Sequence, residues 1–284
     1  MKFTESFITN LIQEQYKLDV SCKILNGYDE LNFLLTDSFD KKYIFKIATE
    51  EHNPYFLDAQ VQMLKLLSKS KLAEKFQHYI ATVSKEDVGQ MTIEGTKYYY
   101  RLLSFLEGDF WVNQKEKSPV LARNLGQFLG EMDSLLKDFK HAAANRYYEW
   151  DIKNTLDARK NLHCIKSHEN RRLVSYFLLQ FETEVTPNIS SLRTATIHND
   201  ANDYNVLVNG DAVSGLIDFG DMVHTSLINN LAIACTYAML DSEKPLEVAA
   251  EIAKGYHEKM PLTEQELSLL YYLIGGRLCI SLCQ

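Results

Sequence analysis

Ile197-His198-Asn199-Asp200-Ala201-Asn202-Asp203-Tyr204-Asn205-Val206-Leu207-Val208, followed shortly by Leu216-Ile217-Asp218-Phe219-Gly220-Asp221, is the stretch on which the reading of this chain turns. Two apolar runs, 205–208 and 213–219, flank Asn209-Gly210-Asp211. Asn-Gly between apolar runs is a strong hairpin signal, because both residues tolerate the positive φ of a tight turn. A hairpin returns its far end to its start. Asn205, at the head of the first strand, and Asp218, at the end of the second, should therefore lie on one side, with Asp200 close by in the preceding loop. Two carboxylates and an amide brought together form a candidate metal-holding and proton-accepting cluster.

Outward from the hairpin the pattern is helical. Residues 121–139, 150–162, 171–184, 226–240, 246–259 and 263–282 carry apolar side chains at helical spacing. Before Glu107-Gly108 the character differs. Residues 20–25, 31–36 and 43–48 read as strands, separated by Asn26-Gly27-Tyr28-Asp29 and by 37–42, both rich in turn formers. Asn53-Pro54 opens a helix with Phe56, Leu57, Val61, Leu64 and Leu67 on one face. Residues 78–83 and 98–103 add two further strands, giving five strands and one helix. The expected architecture is α+β: a small antiparallel-sheet N-lobe over 1–106, then a larger, mainly helical C-lobe over 107–284 with the hairpin inserted. A cleft between two lobes is a natural ligand site.

Composition narrows the classes. Of 284 residues 46% are hydrophobic and 24% charged, an ordinary soluble balance. Lys plus Arg is 30 against 38 for Asp plus Glu, a formal charge of -8, which argues against binding a nucleic-acid backbone. An acidic chain suits an amine-bearing ligand instead. Cys22, Cys164, Cys235, Cys279 and Cys283 form no CxxC pair and read as reduced thiols of a cytoplasmic protein. No leader-like apolar segment opens the chain, and no apolar run has the length of a membrane span. The last helical pattern reaches Gln284 with no stop signal, so either the final helix is a natural end or the chain is cut from a longer polypeptide, and the second is the expectation.

Tyr43-Ile44-Phe45-Lys46-Ile47 places a lysine inside an apolar strand, where alternation turns Lys46 away from Phe45 and Ile47. Phosphoryl transfer needs a carboxylate to orient the attacking hydroxyl, oxygen ligands for magnesium and a cation on the phosphates. The pattern HxDxxxxN, then DFG, resembles the aminoglycoside phosphotransferase and protein-kinase-like superfamily. HNDANDYNVLV and GLIDFGDMVHTSLINNLAIACTYAML are similar to its hydroxylysine-kinase-like branch, which also occurs fused to class III aminotransferases. The resemblance spans roughly residues 20–280 and implies a protein-kinase-like two-lobe fold.

The resemblance further implies a small-molecule kinase using Mg with ATP or GTP. Asp200 would be the base, Asn205 and Asp218 the magnesium ligands, Lys46 the α/β-phosphate lysine, and His198 a brace for the loop. Gly27 and Asn32 would lie in a glycine-poor turn over the nucleotide, and backbone near Ser104 and Leu106 would face the purine. Asp58, on the helix after Lys46, matches the branch's wording and is the expected acidic partner. The implied acceptor is a small amino alcohol or hydroxy-amino acid, hydroxylysine first, then homoserine, choline or ethanolamine, and an aminoglycoside.

Blander readings stand beside these. Asp200, Asn205 and Asp218 are each ordinary turn residues if taken singly. Lys46 could be an edge-strand lysine, and Asp58 a solvated helix residue. Gly27 and Asn32 could be hairpin chemistry alone, and Asp203, Asp221 and Glu107 either ordinary loop charges or acids facing a substrate amine. Trp150 is either packing or substrate-facing. The competing functional class is a non-catalytic domain that holds nucleotide or a small amine for a fused or downstream enzyme.

Overall fold

The structure is a computed structural model that describes residues 3–27, 30–49 and 53–284. Tyr28 and Asp29 of the expected turn lie outside the described residues. The chain divides into two compact units, Met1–Leu106 and Glu107–Gln284.

In the first unit, α1 (Glu5–Tyr16) precedes β1 (Val20–Leu25), β2 (Leu31–Asp37) and β3 (Lys42–Thr49); then come α2 (Pro54–Leu67), β4 (Tyr79–Ile80), β5 (Gly89–Ile93) and β6 (Thr96–Ser104). The strands form one antiparallel sheet ordered β1-β2-β3-β6-β4, with β5 also paired to β6. Strand alternation sorts its two faces. Phe33, Leu35, Phe45, Ile47, Tyr100 and Leu102 build a core that α1 covers with Ile8, Ile12 and Tyr16. Those three residues recur every four positions, the spacing of one helix stripe. Thr4 caps α1, its hydroxyl accepting from the Phe7 amide at 3.3 Å. The sequence-based expectation lacked both α1 and β5, and the strand expected over 78–83 is confined to β4. Asn53 caps α2 with Pro54 in its first turn, as the Asn-Pro signal requires.

In the second unit, β7 (Asp109–Phe110) leads to α3 (Pro119–Leu136). A 3₁₀ segment, Ile152–Cys164, and α4 (His168–Gln180) follow. The chain then threads β8 (Thr194–Ile197), β9 (Val206–Asn209), β10 (Ala212–Leu216) and β11 (Val223–Ser226), and ends in α5 (Ile228–Ala238), α6 (Pro245–Lys259) and α7 (Glu264–Cys283). The 3₁₀ segment replaces the α-helix expected over 150–162. Its buried residues, Ile152, Thr155 and Ala158, recur every three positions, which suits three residues per turn. α3 and α6 cross in near backbone contact. A Cβ on Gly126 would lie 1.9 Å from the Ile252 carbonyl oxygen, and one on Gly255 would lie 2.0 Å from that of Arg123. α7 is long and apolar enough, by length and composition, to cross a membrane. It is nonetheless a packed core helix against α5 and the 3₁₀ segment, with Glu266 and Arg277 buried along it. An antiparallel-sheet unit followed by a mainly helical one makes the chain α+β, with a protein-kinase-like fold.

Candidate active site

β9 and β10 pair antiparallel across Asn209-Gly210, with Gly210 at φ 58°, while β8 and β11 pair with each other. Two short loops, 198–205 and 217–222, are therefore tied at both ends and run side by side. Ile217 clips them together. Its amide donates to the Asn205 carbonyl at 3.0 Å, and its carbonyl lies 3.0 Å from Nε2 of His198. His198 is fully buried, packs edge-on to Phe219 with centroids 4.6 Å apart, and accepts the Asp200 amide on Nδ1 at 3.2 Å. Nδ1 as acceptor leaves the proton on Nε2, so the ring donates to Ile217. Burial pushes the His198 pKa down to about 4, which keeps the ring neutral. Asn199 and Asp218 adopt φ of 66° and 63°, left-handed values that Asn and Asp tolerate best among residues with a Cβ.

Asp200 sits at the centre of a ring of donors. Asn202 Nδ2 reaches both of its oxygens at 3.0 Å. Asn205 Nδ2 donates to Oδ2 at 2.6 Å and to the Asp200 carbonyl at 2.9 Å. Arg277, from α7, approaches Oδ1 at 3.3 Å. The Arg277 guanidinium lies over the rings of Trp150 and Tyr237, 5.0 and 5.4 Å from their centroids. Its Nε donates to the Tyr237 hydroxyl and its Nη1 to the Trp150 carbonyl. Trp150 is thus part of the frame around Asp200, a role the sequence left undecided, and Arg277 is a member that sequence reasoning missed.

Acidic side chains crowd this point. Burial, then the Asp221 charge, raise the Asp200 pKa to about 8 against the opposing pull of Arg277. Asp221 is also raised, chiefly by burial, with a hydrogen bond from the Tyr148 hydroxyl opposing. Arg146 lies over the Tyr148 ring at 4.3 Å and donates to the Gly220 carbonyl at 2.9 Å.

Asn205 and Asp218 are the residues whose oxygens could hold a magnesium ion. Asn205 uses its amide N–H groups on Asp200, so its oxygen is the atom that can turn to a cation, and Asp218 supplies a carboxylate. Among the described residues no group of three or more His, Cys, Asp or Glu side chains is arranged to hold a metal. Magnesium on phosphates takes one or two protein ligands and completes its shell with phosphate and water, so a small set suffices.

In the first unit, Asn32, Lys46 and Arg101 are cross-strand partners on β2, β3 and β6. Lys46 is buried in an interior strand and faces away from Phe45, so it is not an edge lysine. A carboxylate beside it is Glu30, Oε2 lying 3.6 Å from Nζ. Asp58, the expected partner, lies on the exposed face of α2 and accepts from Gln62 at 2.6 Å. The inward polar residue of α2 is Gln60, two positions on. A Cβ on Gly27 would sit 2.2 Å from the Glu30 carbonyl and 2.5 Å from Asn32 Nδ2, so the turn admits only glycine there. Ser104 is largely committed within its own unit. Its amide donates to the His78 carbonyl at 2.9 Å, and its carbonyl accepts from Gln77 at 3.0 Å.

Asp200 and Asn205 lie together in the helical unit with Asp218 on the adjoining loop, and Lys46 lies in the sheet unit. The chain belongs to the phosphotransferase enzyme family (APH), whose sequence profile matches residues 21–268. Hydroxylysine kinase from Xenopus laevis is 28% identical, over 98% of this chain and 81% of that protein. An amicoumacin kinase solved with AMP-PNP superposes with a TM-score of 0.76 at 15% identity, over 99% of this chain and 85% of that one. A microcompartment-associated aminopropanol kinase has the same TM-score at 13% identity, over 98% and 88% of the two chains. The chain is a kinase that moves a phosphoryl group from a nucleotide to a small-molecule hydroxyl.

Proposed function

We propose that this kinase transfers the γ-phosphoryl of Mg-ATP or Mg-GTP to a small amino alcohol or hydroxy-amino acid, with hydroxylysine the first acceptor to test. Asp200 carries the reading. It is a carboxylate fixed by Asn202, Asn205 and Arg277 at the mouth of a clipped loop pair, where it can orient an acceptor hydroxyl and take its proton. Lys46 neutralises the α- and β-phosphates. Asn205 and Asp218 supply the oxygen ligands for magnesium, which when bound offsets charge on the phosphate oxygens. Gly27 and Asn32 shape the turn over the nucleotide, and backbone around Leu106, beyond the committed Ser104, faces the base. The protein mainly positions reactants and neutralises charge, since the loose phosphoryl transition state asks for little covalent help.

The acidic balance of the chain and the half-buried Asp221 favour an acceptor that carries an amine. The likeness to hydroxylysine kinase over nearly the whole chain supports testing hydroxylysine first, ahead of homoserine, choline, ethanolamine and aminoglycosides. Free thiols at Cys22, Cys164, Cys235, Cys279 and Cys283 suit a reducing cytoplasm.

A panel of these acceptors crossed with ATP and GTP, read as nucleoside diphosphate release, tests the proposal. Turnover with hydroxylysine is the expected result. Nucleotide-induced thermal stabilisation with no product from any acceptor would instead favour a binding domain.

A further inference from the structure

Lys46 and Arg101 are direct cross-strand partners on adjacent strands, and their side chains are 9% and 2% exposed. Two like charges facing each other across a sheet destabilise it, and burial makes the penalty worse. A carboxylate is needed between them. Glu30 supplies it from the turn before β2, two residues ahead of Asn32 and so on the same face. Its two oxygens accept from Nη1 and Nη2 of Arg101, each at 2.7 Å, and Oε2 also lies 3.6 Å from Lys46 Nζ. Helix α2 turns Gln60 toward the same group, its Oε1 3.5 Å from Arg101 Nη2, and an amide there brings no charge.

The unequal distances matter. A two-pronged guanidinium–carboxylate pair is the stronger and more directional contact, so Glu30 is anchored by Arg101 and only tethers Lys46. If a phosphate draws Lys46 toward itself, Glu30 keeps its partner and no buried carboxylate is stranded. Glu30 is also continuous with the turn that packs so tightly around Asn32 that Gly27 leaves no room for a Cβ.

We propose that Glu30 is the positioning residue for Lys46, a turn-borne carboxylate braced by Arg101 that aims the lysine at the nucleotide's phosphates. The role rests on the reading of Lys46 as the phosphate lysine. It ties Glu30, and Asn32 beside it, to the grip on phosphate, so a change at Glu30 alters phosphate recognition directly.

The test compares binding of Mg-ATP and Mg-GTP with binding of adenosine and guanosine, by calorimetry on the full chain. Glu30→Gln is expected to weaken Mg-nucleotide binding about tenfold while leaving nucleoside binding unchanged. Glu30→Asp keeps a charge for Arg101 but withdraws it from Lys46, and the same selective loss is expected in a protein whose fold is safer. Equal weakening of nucleotide and nucleoside would reduce Glu30 to a structural residue and overturn the proposal, as would wild-type nucleotide affinity in both variants. If Lys46→Ala itself binds Mg-nucleotide normally, the phosphate-lysine reading fails instead.

Discussion

At the scale of single residues, the site is a set of fixed orientations more than a set of unusual side chains. Asp200 accepts from two amides and faces a guanidinium, so its carboxylate plane is set before any acceptor arrives. Asp200→Ala should lower kcat by about 10²- to 10⁴-fold, the usual worth of a positioned proton acceptor, while the Kd for Mg-nucleotide stays close to wild type. Steady-state turnover and calorimetry together check this, and normal turnover would remove Asp200 from the role of base. Arg277 acts one step away. Arg277→Met fills much of the space between Trp150 and Tyr237 but removes the cation facing Oδ1. It should depress kcat by more than about tenfold with little change in nucleotide affinity, because a half-buried carboxylate would lose a charged partner. Unchanged kcat in a folded Arg277→Met protein would make the arginine a packing residue only.

At the scale of elements, the helical unit depends on one close crossing. α3 and α6 approach until Gly255 has the Arg123 carbonyl where a side chain would begin. Gly255→Ala should therefore cost about 1–3 kcal/mol, the usual penalty for overpacking, visible as a lower midpoint in urea. A neutral result would mean that the two helices separate at little cost. In the sheet unit, α1 seals one face with Ile12 fully buried. Ile12→Ala should cost about 2–5 kcal/mol by opening a cavity over the sheet. The α1 stripe of Ile8, Ile12 and Tyr16 is a plain helical period in the sequence, and it is informative only once a sheet is known to need a cover. β8 and β11 are harder to read. Each is four residues long, and each is defined by the other, 26 or more residues away.

At the scale of the whole molecule, buried titrating groups set the response to pH. Asp133 on α3 is fully buried, accepting from Tyr256 at 2.7 Å and Asn230 at 2.8 Å, and burial raises its pKa from 3.8 to about 7. The folded protein therefore holds this proton more tightly than the unfolded chain. The resulting stabilisation is complete below about pH 4 and is lost as pH rises through about 7. His198 has the opposite sign. Its pKa falls from 6.5 to about 4, so its contribution is present above pH 6.5 and is lost as pH falls toward 4. Asp133→Asn should remove the Asp133 share of the first slope, leaving the part due to Asp200 and Asp221, and should leave the second unchanged. Thermal denaturation of both proteins from pH 4 to 8 reads this out, and parallel curves would show that Asp133 does not titrate in that window.

The features legible in the sequence are those with local causes. Asn209-Gly210 specifies a hairpin through backbone conformation alone, and the hairpin brings Asn205 and the loop bearing Asp218 together whatever lies around them. Strand alternation likewise settles that Lys46 opposes Phe45. The change from period two to helical period near Glu107 marks where the sheet unit gives way to the helical one. Tertiary structure alone decided the partners. Glu30 meets Arg101 across 71 positions and Asp200 meets Arg277 across 77, and nothing in either neighbourhood names the other. Asp58 was the natural expectation on α2 because it is the acid there, but a two-residue step changes the face of a helix, and only the packed sheet says that the face bearing Gln60 is the inner one. Local rules act within a few residues along the chain, whereas the pairing of buried charges is set by which surfaces the hydrophobic core presses together.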